Sequence, residues 1–202
     1  MKKTNLSIML AIGIMAVLGG CEEEQQTTTG FLSDYSSLKS VSDTSYRHIK
    51  PGALRGYSAF IIEPVAIHFH SKSKGGNISS QDLSHLRQFM YAELRTAISG
   101  KYRIVTTPGP GVAKLRVALT DIKQSKTIQN LMPITKMAGT GLGGASMEAE
   151  LLDSQTGAQI AAVVETQSGN RLSLDGVSEW GDTEAVMKDW AKRFRKRLDE
   201  SR

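Results

Sequence analysis

Cys21 narrows the outcomes open to this chain more than any other residue. It is the only cysteine among 202 residues, so no internal disulfide can hold the fold together. Before it stand Lys2 and Lys3, an uncharged apolar run from Leu6 to Leu18, and the small pair Gly19-Gly20. A basic start, a short apolar run and small residues at a cleavage point are the parts of a secretory signal peptide. A membrane-spanning helix needs roughly 20 apolar residues, so this run is too short. Residues 1–20 are therefore expected to be removed by cleavage between Gly20 and Cys21. What remains must fold by burial of side chains alone, and its length suffices for one domain.

Leu18-Gly19-Gly20-Cys21 resembles the bacterial lipobox, in which the thiol takes a diacylglyceryl thioether before the peptide bond behind it is cut. Lipidation of Cys21 also accounts for a lone thiol in an oxidising compartment. One acyl chain holds weakly, whereas the several palmitate-class chains of a mature lipoprotein anchor it firmly. Glu22 follows where an aspartate would retain the protein at the inner membrane. The expected location is the outer membrane, facing the periplasm, with inner membrane or cell surface as alternatives.

Glu22 to Gly30 is polar, biased and without periodicity, so residues 21–30 read as a flexible tether of roughly 15–18 Å root-mean-square reach. Residues 31–202 are expected to form a single domain. Its composition, 40% hydrophobic and 22% charged, is that of an ordinary globular protein. Loss of Lys2 and Lys3 takes the formal charge from +5 to +3. The basic residues Lys192, Arg193, Arg195, Lys196, Arg197 and Arg202 have the composition of a solvated helix face. No aromatic–basic interleaving accompanies them, so nucleic acid is not an expected partner.

Phe31, Tyr35 and Leu38 are spaced to align on one helical turn, too short to be stable alone and so expected to dock on the domain. Ala59 to Ile62 reads as a buried strand stopped by Pro64, and Val65, Ile67 and Phe69 alternate as in a half-buried strand. Ser79 to Asp82 opens a helix with a capping-box pattern, carrying Leu83, Leu86, Met90, Leu94, Ala97 and Ile98 on one face, with Gly100 as its stop. Tyr102 to Thr106 is a short strand before the turn cluster Pro108-Gly109-Pro110-Gly111. Ala113, Leu115, Val117 and Leu119 alternate with polar neighbours as a one-sided strand, and a slip of one would bury Lys114 and Arg116. Met147, Ala149 and Leu151 alternate with Glu148 and Glu150, and Asp153 to Gly157 turns the chain into a returning strand, Gln159 to Glu165. Asp182 or Thr183 is expected to cap a last helix with Met187, Trp190, Phe194 and Leu198 on one face. These elements predict an α+β two-layer sandwich: a mixed, mostly antiparallel sheet of about five strands with two helices on one face.

With the elements placed, Gly30 to Leu38 resembles the opening motif of the bacterial lipoprotein family known as domain of unknown function family 3313. Tyr57 to Val65, Thr107 to Pro110 before the following strand, the Glu148 to Gly157 hairpin and the Glu184 to Arg197 helix extend the resemblance over almost the whole mature chain. It implies an exported, lipid-anchored envelope protein and brings no catalytic residues.

Candidate chemistry is thin. Gly139 to Gly144 contains G-x-G-x-x-G, but a strand follows it rather than the helix a dinucleotide site requires, so a loop is expected and no cofactor. Ile128, Leu131, Met132, Ile134 and Met137 surround Pro133 without strand or helix period, and are candidates for contact with a partner protein or lipid. His68 and His70 share one face of an extended strand. His48, His85 or Glu63 would have to join them to hold a metal, and no metal is expected. Ser36 to Lys39 and Ser71 to Lys74 match S-x-x-K without the companion motifs that accompany a nucleophilic serine. The expectation is a non-catalytic interaction or assembly module of the cell envelope, meeting the membrane through its lipid and an envelope protein through its domain. A small-molecule or lipid-binding accessory of an envelope transport system is the alternative, and an envelope hydrolase the distant one.

Overall fold

A computed structural model describes residues 28–71, 73, 77–126, 142–170 and 178–201. Gly20, Cys21, Ile128, Leu131, Met132, Ile134 and Met137 lie outside these residues.

In chain order the elements are β1 (Lys39–Ser42), β2 (Ser45–Ile49), a 3-10 turn (Ala53–Gly56), β3 (Ala59–Ile62), β4 (Ala66–Ile67), α1 (Ser80–Ser99), β5 (Arg103–Ile104), β6 (Val112–Lys123), β7 (Gly144–Asp153), β8 (Gln159–Ser168) and α2 (Gly181–Glu200). The strands form one mixed sheet in the order β1-β2-β8-β7-β6-β3-β5, with β4 also pairing with β6. Both helices lie on one face and touch each other; α1 covers β3, β4 and β5, and α2 covers β7 and β8. The α+β two-layer class expected from the sequence is what the chain adopts.

Among the described residues the sheet has eight strands where about five were expected. β1 and β2 are the chief additions, because Ser45–Ile49 has no burial periodicity of its own. It is held by antiparallel pairing with β8, from Ser45 opposite Glu165 to Ile49 opposite Ala161. The break at Pro64 is real: Glu63 N–H still donates to Leu115 O at 3.0 Å, Pro64 has no N–H to offer, and the chain rejoins β6 as β4.

β6 supplies the floor of the core. Ala113, Leu115, Val117 and Leu119 are each at most 3% exposed. They face Leu86, Met90, Leu94 and Ile98, which recur at steps of four along α1. Ser79 begins α1 as expected: its Oγ accepts from Asp82 N–H at 3.1 Å and donates to the Asp82 carboxylate at 2.6 Å. Gly100 ends α1 with right-handed φ −64°, so it supplies room beside Arg195 rather than a left-handed turn.

α2 departs from expectation at its start. It begins at Gly181 after Trp180, with no side-chain cap, and both Asp182 and Thr183 are fully buried inside its first turn. The two helices are cross-tied by His85 Nε2 to Glu184 Oε1 at 2.7 Å and by Arg195 Nη1 to Ala97 O at 2.8 Å. Tyr102 and Lys101 both bond the Asp199 carboxyl, which holds it well below the usual carboxylate range, Tyr102 contributing most.

The β7–β8 turn is built on Asp153, whose Oδ1 accepts from Gln155 N, Thr156 N and Thr156 Oγ1 at 2.8–3.0 Å. Gly157 sits at φ +72°, which glycine adopts without strain. Tyr57 donates to Asp153 Oδ2 at 2.8 Å, tying this turn to the start of β3. The Thr156 N–H foremost, then the Tyr57 hydroxyl, lowers Asp153 to about 2. Burial foremost, then that carboxylate, pushes Tyr57 up to about 12. The Asp153 contribution to stability is complete above its usual 3.8 and is lost as pH falls toward 2. The Tyr57 contribution is complete below its usual 10.0 and is lost as pH rises through 12. Tyr57→Phe is therefore expected to flatten the alkaline limb of a stability–pH curve and only weaken the acid limb. Urea unfolding midpoints across the pH range check this, and an alkaline limb as steep in the variant as in the wild type contradicts it.

Candidate functional site

Alternation along β6 and β7 sends Lys114, Arg116, Glu148 and Glu150 to the face of the sheet opposite the helices. Such residues are expected in water, yet Glu148 is 0% and Glu150 2% exposed. Residues 29–38 cover them, returning across that face as a strap.

The strap is fastened through the two carboxylates. Glu148 accepts from Thr29 N–H at 2.7 Å and from the Tyr35 hydroxyl at 2.5 Å. Glu150 Oε2 accepts from Ser33 N–H at 2.9 Å, Ser33 Oγ at 2.7 Å and Gln159 Nε2 at 2.8 Å. Its Oε1 is held by Arg116, whose guanidinium also lies 3.5 Å from Glu63. The Tyr35 oxygen in turn accepts from Gly30 N–H and Leu32 N–H, which closes the strap on itself. Burial foremost, with the Glu148 bond next, pushes the Tyr35 phenol up. Hydrogen bonds to an ionised acceptor contribute about 1.5–3 kcal/mol each, partly offset by the cost of desolvating the carboxylates.

Apolar contacts complete the dock. Leu32 is 5% exposed and packs on Ala162 and Val164 of β8, with Tyr35, Leu38 and Tyr46 around it. Phe31 lies 4.7 Å from the Arg116 guanidinium across its ring face and meets His68 edge-on at 6.1 Å. The segment docks as expected but is not helical: it is a run of bends and a turn at Ser36-Ser37. The geometry is set by the carboxylates beneath it, not by an apolar helical stripe.

His68 meets Phe31, and His85 binds Glu184 on the helical face. His48 is on β2, and His70 follows β4, its backbone N–H donating to Thr120 O. Among the described residues no three of His, Cys, Asp or Glu gather as a metal site requires. Ser36 N–H donates to Asp34 Oδ1 at 2.8 Å, and Lys39 is exposed on β1, so the first S-x-x-K stretch forms a turn and an edge strand. Gly143 and Gly144 follow the run from 139 and lead into β7 with no helix after them; Gly139 and Gly141 lie outside the described residues. No helix among the described residues is long and apolar enough to cross a membrane.

Sequence reasoning missed the site itself. Glu148 and Glu150 look like the wet side of a strand, and the donors that bury them stand more than 110 positions earlier. The available signal was Ser33 and Tyr35, two hydrogen-bonding side chains set between apolar residues in the first segment after the tether.

The described residues thus form an α+β sandwich strapped by the chain's own N-terminal segment. The chain belongs to the family described as Protein of unknown function (DUF3313), whose model matches residues 27–194. The uncharacterized lipoprotein YdcL of Escherichia coli K12 is 24% identical, with 86% of each chain covered. Among solved structures, the PelC dodecamer from Paraburkholderia phytofirmans is similar at TM-score 0.45 and 15% identity, over 77% of this chain and 96% of that one. A putative lipoprotein from Caulobacter crescentus CB15 is similar at TM-score 0.33 and 13% identity, over 74% of this chain and 94% of that one. The chain is thus one of a family of bacterial lipoproteins of unknown function.

Proposed function

We propose that this protein is a periplasm-facing lipoprotein of the outer membrane, anchored by acyl chains on Cys21, whose domain is a non-catalytic interaction or assembly module. The observation that carries this reading is the strap. Eight peptide units separate Cys21 from Thr29, a span of at most about 28 Å. At Thr29 the chain is bonded to the fully buried Glu148. The anchor is thereby coupled to the strapped face, which stays near the lipid surface while the helical face points the other way. Such a coupling orients a surface toward a partner, and orientation is what a tethered module needs. The segment holding Ile128, Leu131, Met132, Ile134 and Met137 joins the ends of β6 and β7 and is the proposed contact for an envelope protein.

Membrane fractionation of the whole chain tests the anchor. Wild type is expected with the outer membrane and Cys21→Ser in the soluble periplasmic fraction; a serine variant that stays with membranes overturns the anchor. A photo-crosslinker at Leu131 is expected to capture one discrete envelope protein in cells, and no adduct there removes that segment from the proposed contact.

A further inference from the structure

The sheet edge beside α1 is left uncovered past β5. β5 pairs with β3 only at Ala59 and Phe60, and β4 pairs with β6 alone. From Ile61 to Ile67, then, no strand among the described residues lies on the outer side. His68 N–H donates to Leu119 O of β6 at 2.9 Å, so alternation turns the Ile67 N–H and carbonyl the other way, toward that open side. The Val65 carbonyl faces outward too, since it accepts from Arg87 Nε of α1 at 2.7 Å. An edge of this kind is a template for a further strand.

Alongside it runs a groove of about 360 Å³, between Pro64 and Val65 on one side and Ser84, Arg87, Gln88 and Tyr91 of α1 on the other. Its size is that of a ligand site. Only those residues line it and it is open to solvent, so it would enclose little of a small molecule; a segment of chain lying along it suits the shape better. Its charge has one sign. Arg87, Tyr91 and Arg95 recur at steps of four and so share one flank of α1. No acidic residue lines the groove, and among the described residues neither arginine has an ion-pair partner. The bond to Val65 uses only the Nε of Arg87, and the terminal nitrogens of the fork remain for an incoming carboxylate.

We infer that this groove takes an extended acidic segment of a partner protein, which adds along the edge of β4, pairs its backbone at Ile67 and sets acidic side chains against Arg87 and Arg95. Open edge, adjoining groove and one-signed charge all match such a segment. A neutral segment would leave the arginines without a complement, and a second copy docked by the same edge would bring two sets of them together. Pro64 has no N–H to offer, so it confines pairing to the short run after it and keeps the edge from templating long sheets. The groove is on the α1 side of the sheet, opposite the strap. The inference rests neither on the anchor at Cys21 nor on the contact proposed around Leu131.

A random-peptide display library is panned on the whole chain in a neutral detergent. Enriched sequences are expected to carry Asp or Glu within a stretch of β-branched residues. The most enriched peptide, synthesised, should slow hydrogen exchange in the segment holding Val65 and Ile67 and leave α2 unchanged. Arg87→Ala should weaken its binding about tenfold, the loss of one charge-assisted hydrogen bond, and Arg87→Lys should weaken it less. Arg95→Glu changes an exposed residue that makes no contact with the rest of the fold, so it tests charge without disturbing the edge. It should weaken the acidic peptide and favour the same peptide with Lys in place of its acid. Enriched sequences without an acid, protection confined to other elements, equal binding by Arg95→Glu, or no enrichment at all overturns the inference.

Discussion

Glu150→Ala is expected to lower the unfolding free energy by about 3 kcal/mol, at the low end of the cost of removing one member of a buried ion pair. The carboxylate is 2% exposed and takes bonds from Ser33, Gln159 and Arg116. Removing it strands the Ser33 backbone N–H and takes from Arg116 its nearer anion. The low end applies because Arg116 is 29% exposed at its side chain and keeps Glu63 within 3.5 Å. Glu150→Gln preserves shape and acceptor oxygen but not charge, so it should cost less than the alanine. Urea unfolding gives the magnitudes. Hydrogen exchange gives the mechanism: amides from Gly30 to Leu38 should lose protection while those of β6, β7 and β8 keep theirs. A strap that stays protected in Glu150→Ala would mean that the Glu148 bonds to Thr29 and Tyr35 and the packing of Leu32 and Phe31 suffice to hold it.

That distinction bears on function. If the carboxylates hold the strap, the folded domain is bonded to the chain leading from Cys21 by groups that desolvation and charge control, and loosening them lengthens the tether by up to about ten residues. Ten residues add at most roughly 35 Å of reach, more than the tether supplies on its own. On the proposed anchoring at Cys21, Glu148 and Glu150 would set the distance between membrane and domain.

How much of this could be read in advance depends on how far each residue's environment lies from it in sequence. β6 and α1 were legible because each carries its own period: Ala113, Leu115, Val117 and Leu119 at steps of two, Leu86, Met90, Leu94 and Ile98 at steps of four. β2 was not, since Ser-Tyr-Arg-His-Ile has no such period and becomes a strand through β8. Glu148 and Glu150 fit a solvent-facing alternation perfectly well; their burial comes from a second layer that local pattern cannot announce. The basic stretch of α2 reads as a solvated face, and Lys192 and Lys196 are exposed as expected. Arg193 and Arg195 are instead drawn against Glu165 and Asp199.

Asp182 shows the same limit in a residue that was singled out for the wrong reason. It was expected to cap α2, and it sits in the first turn, 0% exposed, bonding not its own helix but the ends of the sheet. Its Oδ2 accepts from Gly143 N–H at 2.9 Å, just before β7, and from Ser125 Oγ at 3.0 Å, just after β6. Gly169, just past β8, lies so close that a Cβ there would fall 2.4 Å from the Asp182 carboxyl carbon. One side chain therefore gathers the ends of three strands at the N-terminus of a helix whose dipole favours an acid there. Asp182→Ala is expected to cost about 3 kcal/mol, the sum of two buried donors left unmet and the lost dipole interaction. Gly169→Ala should destabilise through the same bonds, because the new methyl displaces the carboxylate that makes them. The double variant should then cost less than the two single costs added together, but it should not return to wild type, since the Asp182 Cβ, only 2.6 Å from the added methyl, remains in alanine. Denaturant unfolding of the four proteins measures the coupling. Strict additivity would show that Gly169 and Asp182 act separately, and that the three strand ends are held by their own pairing rather than by this carboxylate.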